Sequence, residues 1–368
     1  MTGARLVQLH THEPVVSGGA AAFLDTHDAS LAVAAGGRLW LFTEDADGRP
    51  AALELGLDDA TALCWHEDRL WVATGWQLWA FVDTAPATGT GDAHLLLPQT
   101  ARTTGGLGVS DVAVATGGPL LVSGLLTCLA TPDERFSMRP VWVPPGVDAL
   151  RPDSRWLLTG VALRAGLAAF VSAAGRSGED QGWRDGLHGG GLVVDVAGEV
   201  VVTGLSVPRH PRWHDGHLVV ADSGTGRLLS VDPVSGASEV VTVLPGTLGG
   251  LTVSDGVALV GHGDPEEAAV GGLTGGPAPD GRPVRETVSL VDLSTGSVTG
   301  TIEFLGHAGP VTSLAVLPGL RRVALAAPRG TVSQTTVVVA EGRKLGIRGV
   351  EVELPPGFAY HPVQQASG

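Results

Sequence analysis

Short apolar runs recur along the whole chain, and turn residues punctuate them. Asp-Gly, Gly-Gly and Ser-Gly pairs are frequent, while apolar residues spaced three and four apart are nearly absent. The pattern therefore predicts strands and tight turns rather than helices. One signature recurs after a turn, as in Arg38-Leu39-Trp40-Leu41, Arg69-Leu70-Trp71-Val72, His217-Leu218-Val219-Val220 and Arg322-Val323-Ala324-Leu325, and reads as the second strand of a unit. Another ends a third strand in a turn, as in Val231-Asp232-Pro233-Val234-Ser235-Gly236 and Val291-Asp292-Leu293-Ser294-Thr295-Gly296.

These signatures assemble into strand quartets over roughly 156–205, 209–244 and 249–305. Earlier quartets start near Ala20, Ala60 and Val109, and another starts at Val311. Four strands in about 40–50 residues is the period of propeller blades. The predicted fold is all-β: a β-propeller of seven four-stranded blades, with six as the alternative, in one domain over residues 1–368. Segment 4–11 or segment 345–354 is expected to supply the strand that closes the ring and removes an open sheet edge. Gly306-His307, followed by Val311-Thr312-Ser313-Leu314 and Pro318-Gly319, looks like the opening of a WD40 blade, although no Trp-Asp close follows.

Strands in such a blade run alternately up and down. Loops joining strands 2 and 3 therefore share a face with the connectors from strand 4 to the next blade. Long insertions at 175–189 and 263–287 both fall between strands 2 and 3. Long loops on a rigid scaffold are where function concentrates, so this face is the expected working face.

Composition narrows the function classes. Hydrophobic residues make up 43% of the chain and the mean hydropathy is +0.23, enough for a large core and unlike a disordered chain. The net charge of −15 would repel phosphates, so no nucleic-acid partner is expected. No apolar run approaches the roughly 18 residues of a membrane span. Residues 1–15 lack the apolar core of a leader, so a cytoplasmic location away from membranes is expected. Cys64 and Cys128 each sit inside an apolar run and read as small buried hydrophobes, not as metal ligands or a disulfide.

The middle of the chain carries a more specific string. Gly182-Trp183-Arg184, Gly204-Leu205-Ser206, Pro211-Arg212-Trp213, Asp222-Ser223-Gly224-Thr225-Gly226, Val231-Asp232-Pro233 and Leu317-Pro318-Gly319 follow in order. This order resembles a bacterial family of conserved proteins of unknown function, over roughly residues 107–325. Four segments depart from that family's pattern. Ser110-Asp111 stands where it shows His-Asp, and Leu157-Leu158-Thr159-Gly160 where it shows His-Leu-Asn-Gly. Pro208-Arg209-His210-Pro211-Arg212-Trp213 stands for Pro-His-Ser-Pro-Arg-Trp, and Pro310-Val311-Thr312-Ser313 for Glu-Ile-Phe-Asp. All four fall at predicted starts of innermost strands, so the resemblance implies that a polar ring near the axis has changed here.

The expected working face offers Trp183, Arg184 and His188 from the first insertion, and Arg209, His210 and Arg212 from the connector after Ser206. A tryptophan beside an arginine stacks on or clamps planar and anionic groups, and clustered arginines suit a carboxylate or phosphate. Against this, Trp183 reads equally well as a plug of the channel mouth. Arg212 also fits an interblade ion pair, with His210 bonded to backbone. The leading expectation is a binding module holding a small anionic molecule or peptide through Trp183, Arg184, His188, Arg209 and Arg212. The rival is an enzyme using Asp111 and His210 as acid and base. A third reading is a scaffold that meets a protein partner through the rim of the ring. No cofactor and no metal are expected. His210 and His214, four apart, lie in a predicted strand and turn, where that spacing means little, and Asp264, Glu266 and Glu267 lack an EF-hand pattern.

Overall fold

Valine-, leucine- and alanine-rich runs alternating with glycine turns pair, in a computed structural model, into six antiparallel four-stranded sheets, two of them extended by a fifth strand. The structure describes residues 15–346 apart from 17, 46, 56, 58, 85–92, 265–269, 279–283, 305–307 and 340–342. From inside outward, blade 2 comprises Ala62–His66, Arg69–Ala73, Gln77–Asp83 and Ala93–Thr103. Blade 3 comprises Val109–Ala115, Gly118–Ser123, Cys128–Thr131 and Arg139–Trp142. Blade 4 comprises Leu158–Arg164, Leu167–Ala173, Gly191–Asp195 and Val200–Leu205, and blade 5 Pro208–His214, His217–Asp222, Arg227–Val231 and Ser238–Val243. Blade 6 comprises Thr247–Ser254, Val257–Gly263, Thr287–Asp292 and Val298–Glu303. Each innermost strand packs on those of the blades either side, so the sheets form a closed ring.

Six blades correct the expected seven, and blade 1 shows why. Its outer strands, Ala29–Ala35, Arg38–Glu44 and Pro50–Leu55, come from the start of the chain, and its innermost strand is Val311–Pro318. The quartets expected near Ala20 and at Val311 are thus two parts of one blade. The segment at Ala20 is a helix, Gly18–Thr26, which packs Phe23 against blade 1 and blade 6. Arg322–Leu325 is not the second strand of a seventh blade either, because it pairs parallel to the outer edge of blade 2. Val311–Pro318 closes the ring through its ladder to Ala29–Ala35. Segment 4–11 and residues 347–354 lie outside the described residues, as do Gly306 and His307, while Leu345 and Gly346 belong to a hairpin of Arg343–Gly346 with Thr336–Val339.

Apolar side chains from facing blades fill each interface. The closing interface carries an aromatic knot: Phe304 meets Trp40 and Phe42 edge-on, with ring centroids 5.7 and 5.8 Å apart. Short hydroxyl side chains add polar ties between blades. Leu63 N–H donates to Ser313 Oγ at 2.9 Å, and Ser110 Oγ donates to the Leu158 carbonyl at 2.8 Å. Cys64 and Cys128 are free thiols, Cys128 fully buried and Cys64 partly so. Among the described residues no helix is long and apolar enough to cross a membrane.

Candidate functional site

Near their starts, five of the six innermost strands slip register by one residue. The extra residue is Ser110 in blade 3, Thr159 in blade 4 and Thr312 in blade 1. In blade 5 it falls at His210-Pro211, and in blade 6 at Gly249-Gly250. Such bulges kink a strand and re-aim its side chains. Here they form one layer around the axis. His210 takes a positive φ of 46°, a conformation uncommon outside glycine. The inner strands also approach one another closely at this level. A Cβ on Gly249 would lie 1.8 Å from the Val311 carbonyl oxygen, and one on Gly160 would lie 2.7 Å from the His210 nitrogen. The four segments that depart from the family pattern are the ones that supply four of these five bulges.

Just below the bulges a buried network crosses the axis. Arg212 of blade 5 grips Asp111 of blade 3 with two parallel bonds, Nη1 to Oδ2 at 2.8 Å and Nη2 to Oδ1 at 2.9 Å. The Asp111 carboxylate also accepts from the backbone N–H of Val112 (3.0 Å) and Val161 (3.1 Å). Arg212 Nε donates to the Leu251 carbonyl at 3.1 Å, and Nη1 also reaches the carbonyls of Val161 and Pro211. His210 bonds through Nε2 to the Thr312 carbonyl at 3.0 Å, and its Nδ1 lies 3.4 Å from Arg212 Nη2 and 3.2 Å from Asp111 Oδ1. Five blades meet in these few atoms.

Electrostatics follows from the geometry. Burial alone would raise the Asp111 carboxyl, but the Arg212 guanidinium, then His210 and the hydrogen bonds, hold it well below the usual carboxylate range. Burial pulls the His210 imidazole toward its neutral form more strongly than Asp111 draws it to the charged one. Burial also lowers Arg212, yet Asp111 outweighs it and keeps the guanidinium charged. Cys64, beside this network, is pushed up to about 11 chiefly by burial and stays a neutral thiol.

The network divides the channel. On the insertion side lies a cavity of about 20 Å³, room for about one water, lined among others by Arg209, His262 and Glu286. On the side of the strand 1–2 turns lies a cavity of about 400 Å³. Every blade contributes to its wall, as Val316, Trp65, Ala113, Leu163, Trp213 and Val253 show for blades 1 to 6 in turn, with Arg212 at its inner end. Exposed Pro318 and half-exposed Ser254 stand at its rim. The roomy cavity therefore opens opposite the expected working face.

The structure brings Asp111, His210 and Arg212 together and leaves the other candidates apart. Trp183 sits on a short 3-10 helix, Gly182–Gly186, and is buried with Ala174, Val207, Val270 and Leu273, joining the two insertions. Arg184 is exposed, stacks over the Trp183 ring at 4.5 Å and bonds to Gln181. His188 is exposed at the surface of the same insertion. Arg209 has no ion pair among the described residues, and burial pushes it down to about 10. The cavity residues Trp65 and Trp213 are the ones that strand patterns passed over. A repeated string marks both: Trp65-His66-Glu67-Asp68-Arg69-Leu70 and Trp213-His214-Asp215-Gly216-His217-Leu218 place the tryptophan at the same rung before the same tight turn.

The chain belongs to the family described as "Domain of unknown function (DUF4915)", whose pattern it matches over residues 19–325. No curated protein matches it. Among solved structures it is similar to a chain of the nidogen/laminin complex, at 11% identity and a TM-score of 0.49, covering 80% of this chain and 99% of that one. It is also similar to the Neurospora crassa Pan2 WD40 domain, at 14% identity and a TM-score of 0.38, covering 74% and 70%. The computationally designed Ika8 protein is similar at 14% identity and a TM-score of 0.35, covering 75% and 74%. Likenesses this distant carry nothing about function, and the blade count rests on the strand pairing itself.

Proposed function

We propose that the protein is a binding module that holds a small molecule in its axial cavity, reached from the face of the strand 1–2 turns. The observation that carries this reading is the cavity itself. Its volume of about 400 Å³ falls in the range of small-molecule pockets, roughly 300–1,000 Å³, and its walls are apolar and aromatic with a few polar groups. Acid–base chemistry is less well supported. Asp111 has every oxygen occupied and a strongly depressed pKa, so it is a poor proton acceptor. His210 donates inward to the Thr312 carbonyl and is fully buried above the cavity.

The test is a ligand-observed NMR screen of a fragment set against the wild type and two blocked variants. Thr252→Trp fills the cavity wall, and Ser254→Trp crowds its rim. Fragments should bind the wild type at one site and be lost from both variants, with each variant's thermal transition retained. Binding that survives both blocks, or a screen without hits, would overturn the reading.

A further inference from the structure

We infer that the ligand of the axial cavity is a neutral, flat, aromatic molecule rather than an anion. This rests on the cavity being a ligand site. Arg212 is the only charged side chain in the cavity wall among the described residues, and it looks at first like an anion anchor. Its donors are all committed, however. A guanidinium has five N–H groups in a fixed fork. One goes to the Leu251 carbonyl, two go to the Asp111 carboxylate, one to the Val161 or Pro211 carbonyl, and one points at His210 Nδ1. Asp111 cancels its charge at bonding distance. An incoming carboxylate or phosphate would find no free N–H and would approach a buried carboxylate.

A guanidinium without a free N–H still meets a ligand through its flat face, which stacks on π systems. The walls point the same way. Blades 2 and 5 are three apart in a ring of six, so Trp65 and Trp213 line the cavity from opposite sides of the axis at equivalent rungs. Trp213 is held by a parallel stack on Phe170, 5.8 Å between centroids at 5°, with Arg164 over its ring. Cys64, a neutral thiol in the same wall, adds a soft surface without charge. Two indoles that reach the cavity from the packing between blades, the Arg212 guanidinium and aliphatic walls favour a planar ring over a saturated one of equal size, because aromatic pairing adds to burial.

Three probes of one shape separate the ideas: 2-naphthol, its saturated counterpart decahydro-2-naphthol, and 2-naphthalenesulfonate, each titrated into the intact chain by calorimetry. 2-Naphthol is expected to bind about tenfold more tightly than the saturated alcohol, and the sulfonate no better than the saturated alcohol. Trp65→Leu, with Trp213→Leu as a second variant should the first fail to fold, is expected to erase most of that preference. Equal binding of the two alcohols, or tightest binding of the sulfonate, would overturn the aromatic assignment while leaving the cavity a ligand site. No binding by any of the three would overturn both.

Discussion

Removing the Asp111 charge tests how the two halves of the channel are held apart. Asp111→Asn keeps the shape but exchanges one acceptor oxygen for an NH2 group. That group would face N–H donors whichever way it turned, since Arg212 and the backbone of Val112 and Val161 point at the carboxylate from different sides. Arg212 would keep a buried positive charge with no counter-ion. Breaking one partner of a buried pair costs about 3–5 kcal/mol, and Arg212→Met should cost a similar amount by stranding the carboxylate. The double variant Asp111→Asn/Arg212→Met strands neither charge. It should cost well under the sum, leaving a coupling of at least about 2 kcal/mol. Urea unfolding monitored by tryptophan fluorescence measures all four corners of the cycle. The sign with pH is also fixed. Asp111 is held below its unfolded value of about 3.9, so its contribution is present above that pH and is lost as pH falls below it. The gap between wild type and Asp111→Asn should therefore narrow from pH 7 to pH 3. Single variants each costing under about 1 kcal/mol, with additive effects, would mean that the Asp111–Arg212 pair does not hold the network together.

Other consequences are equally direct. His262, buried and pushed down to about 4, binds its proton in the unfolded chain first, so stability is full above about pH 6.5 and declines toward pH 4. His262→Gln should flatten that part of a pH–stability curve recorded by thermal unfolding. Phe304→Ala removes the knot with Trp40 and Phe42 at the closing blade and should cost about 3–5 kcal/mol in urea unfolding. Arg184→Ala and Arg209→Ala, both on the insertion side of the network, should leave the affinity of a cavity-bound fragment unchanged by calorimetry.

Much of the architecture was legible along the chain because blades 4, 5 and 6 are continuous in sequence and their turns are marked by Asp-Gly, Thr-Gly and Ser-Gly pairs. The blade count was not, since blade 1 takes its inner strand from Val311–Pro318 and a strand does not announce its partner. Trp183 of the first insertion packs with Val270 and Leu273 of the second. The site was harder. Register slips at Ser110, Thr159, His210, Gly249 and Thr312 leave the hydrophobic alternation nearly intact, yet they decide which side chains turn to the axis. Arg212 was readable as an interblade partner, but its saturation by backbone carbonyls from neighbouring strands depends on distances that no sequence spacing encodes. The cavity's place on the turn face follows from that same bulge layer closing the other side.

The decisive measurement is a crystal structure of the protein soaked with 2-naphthol. Density for the ring is expected in the axial cavity, between Trp65 and Trp213 and against the guanidinium of Arg212, with the Arg212–Asp111 pair intact. An empty cavity filled by its own side chains, or density lodged instead among Arg184, His188 and Arg209 on the insertion face, would contradict it.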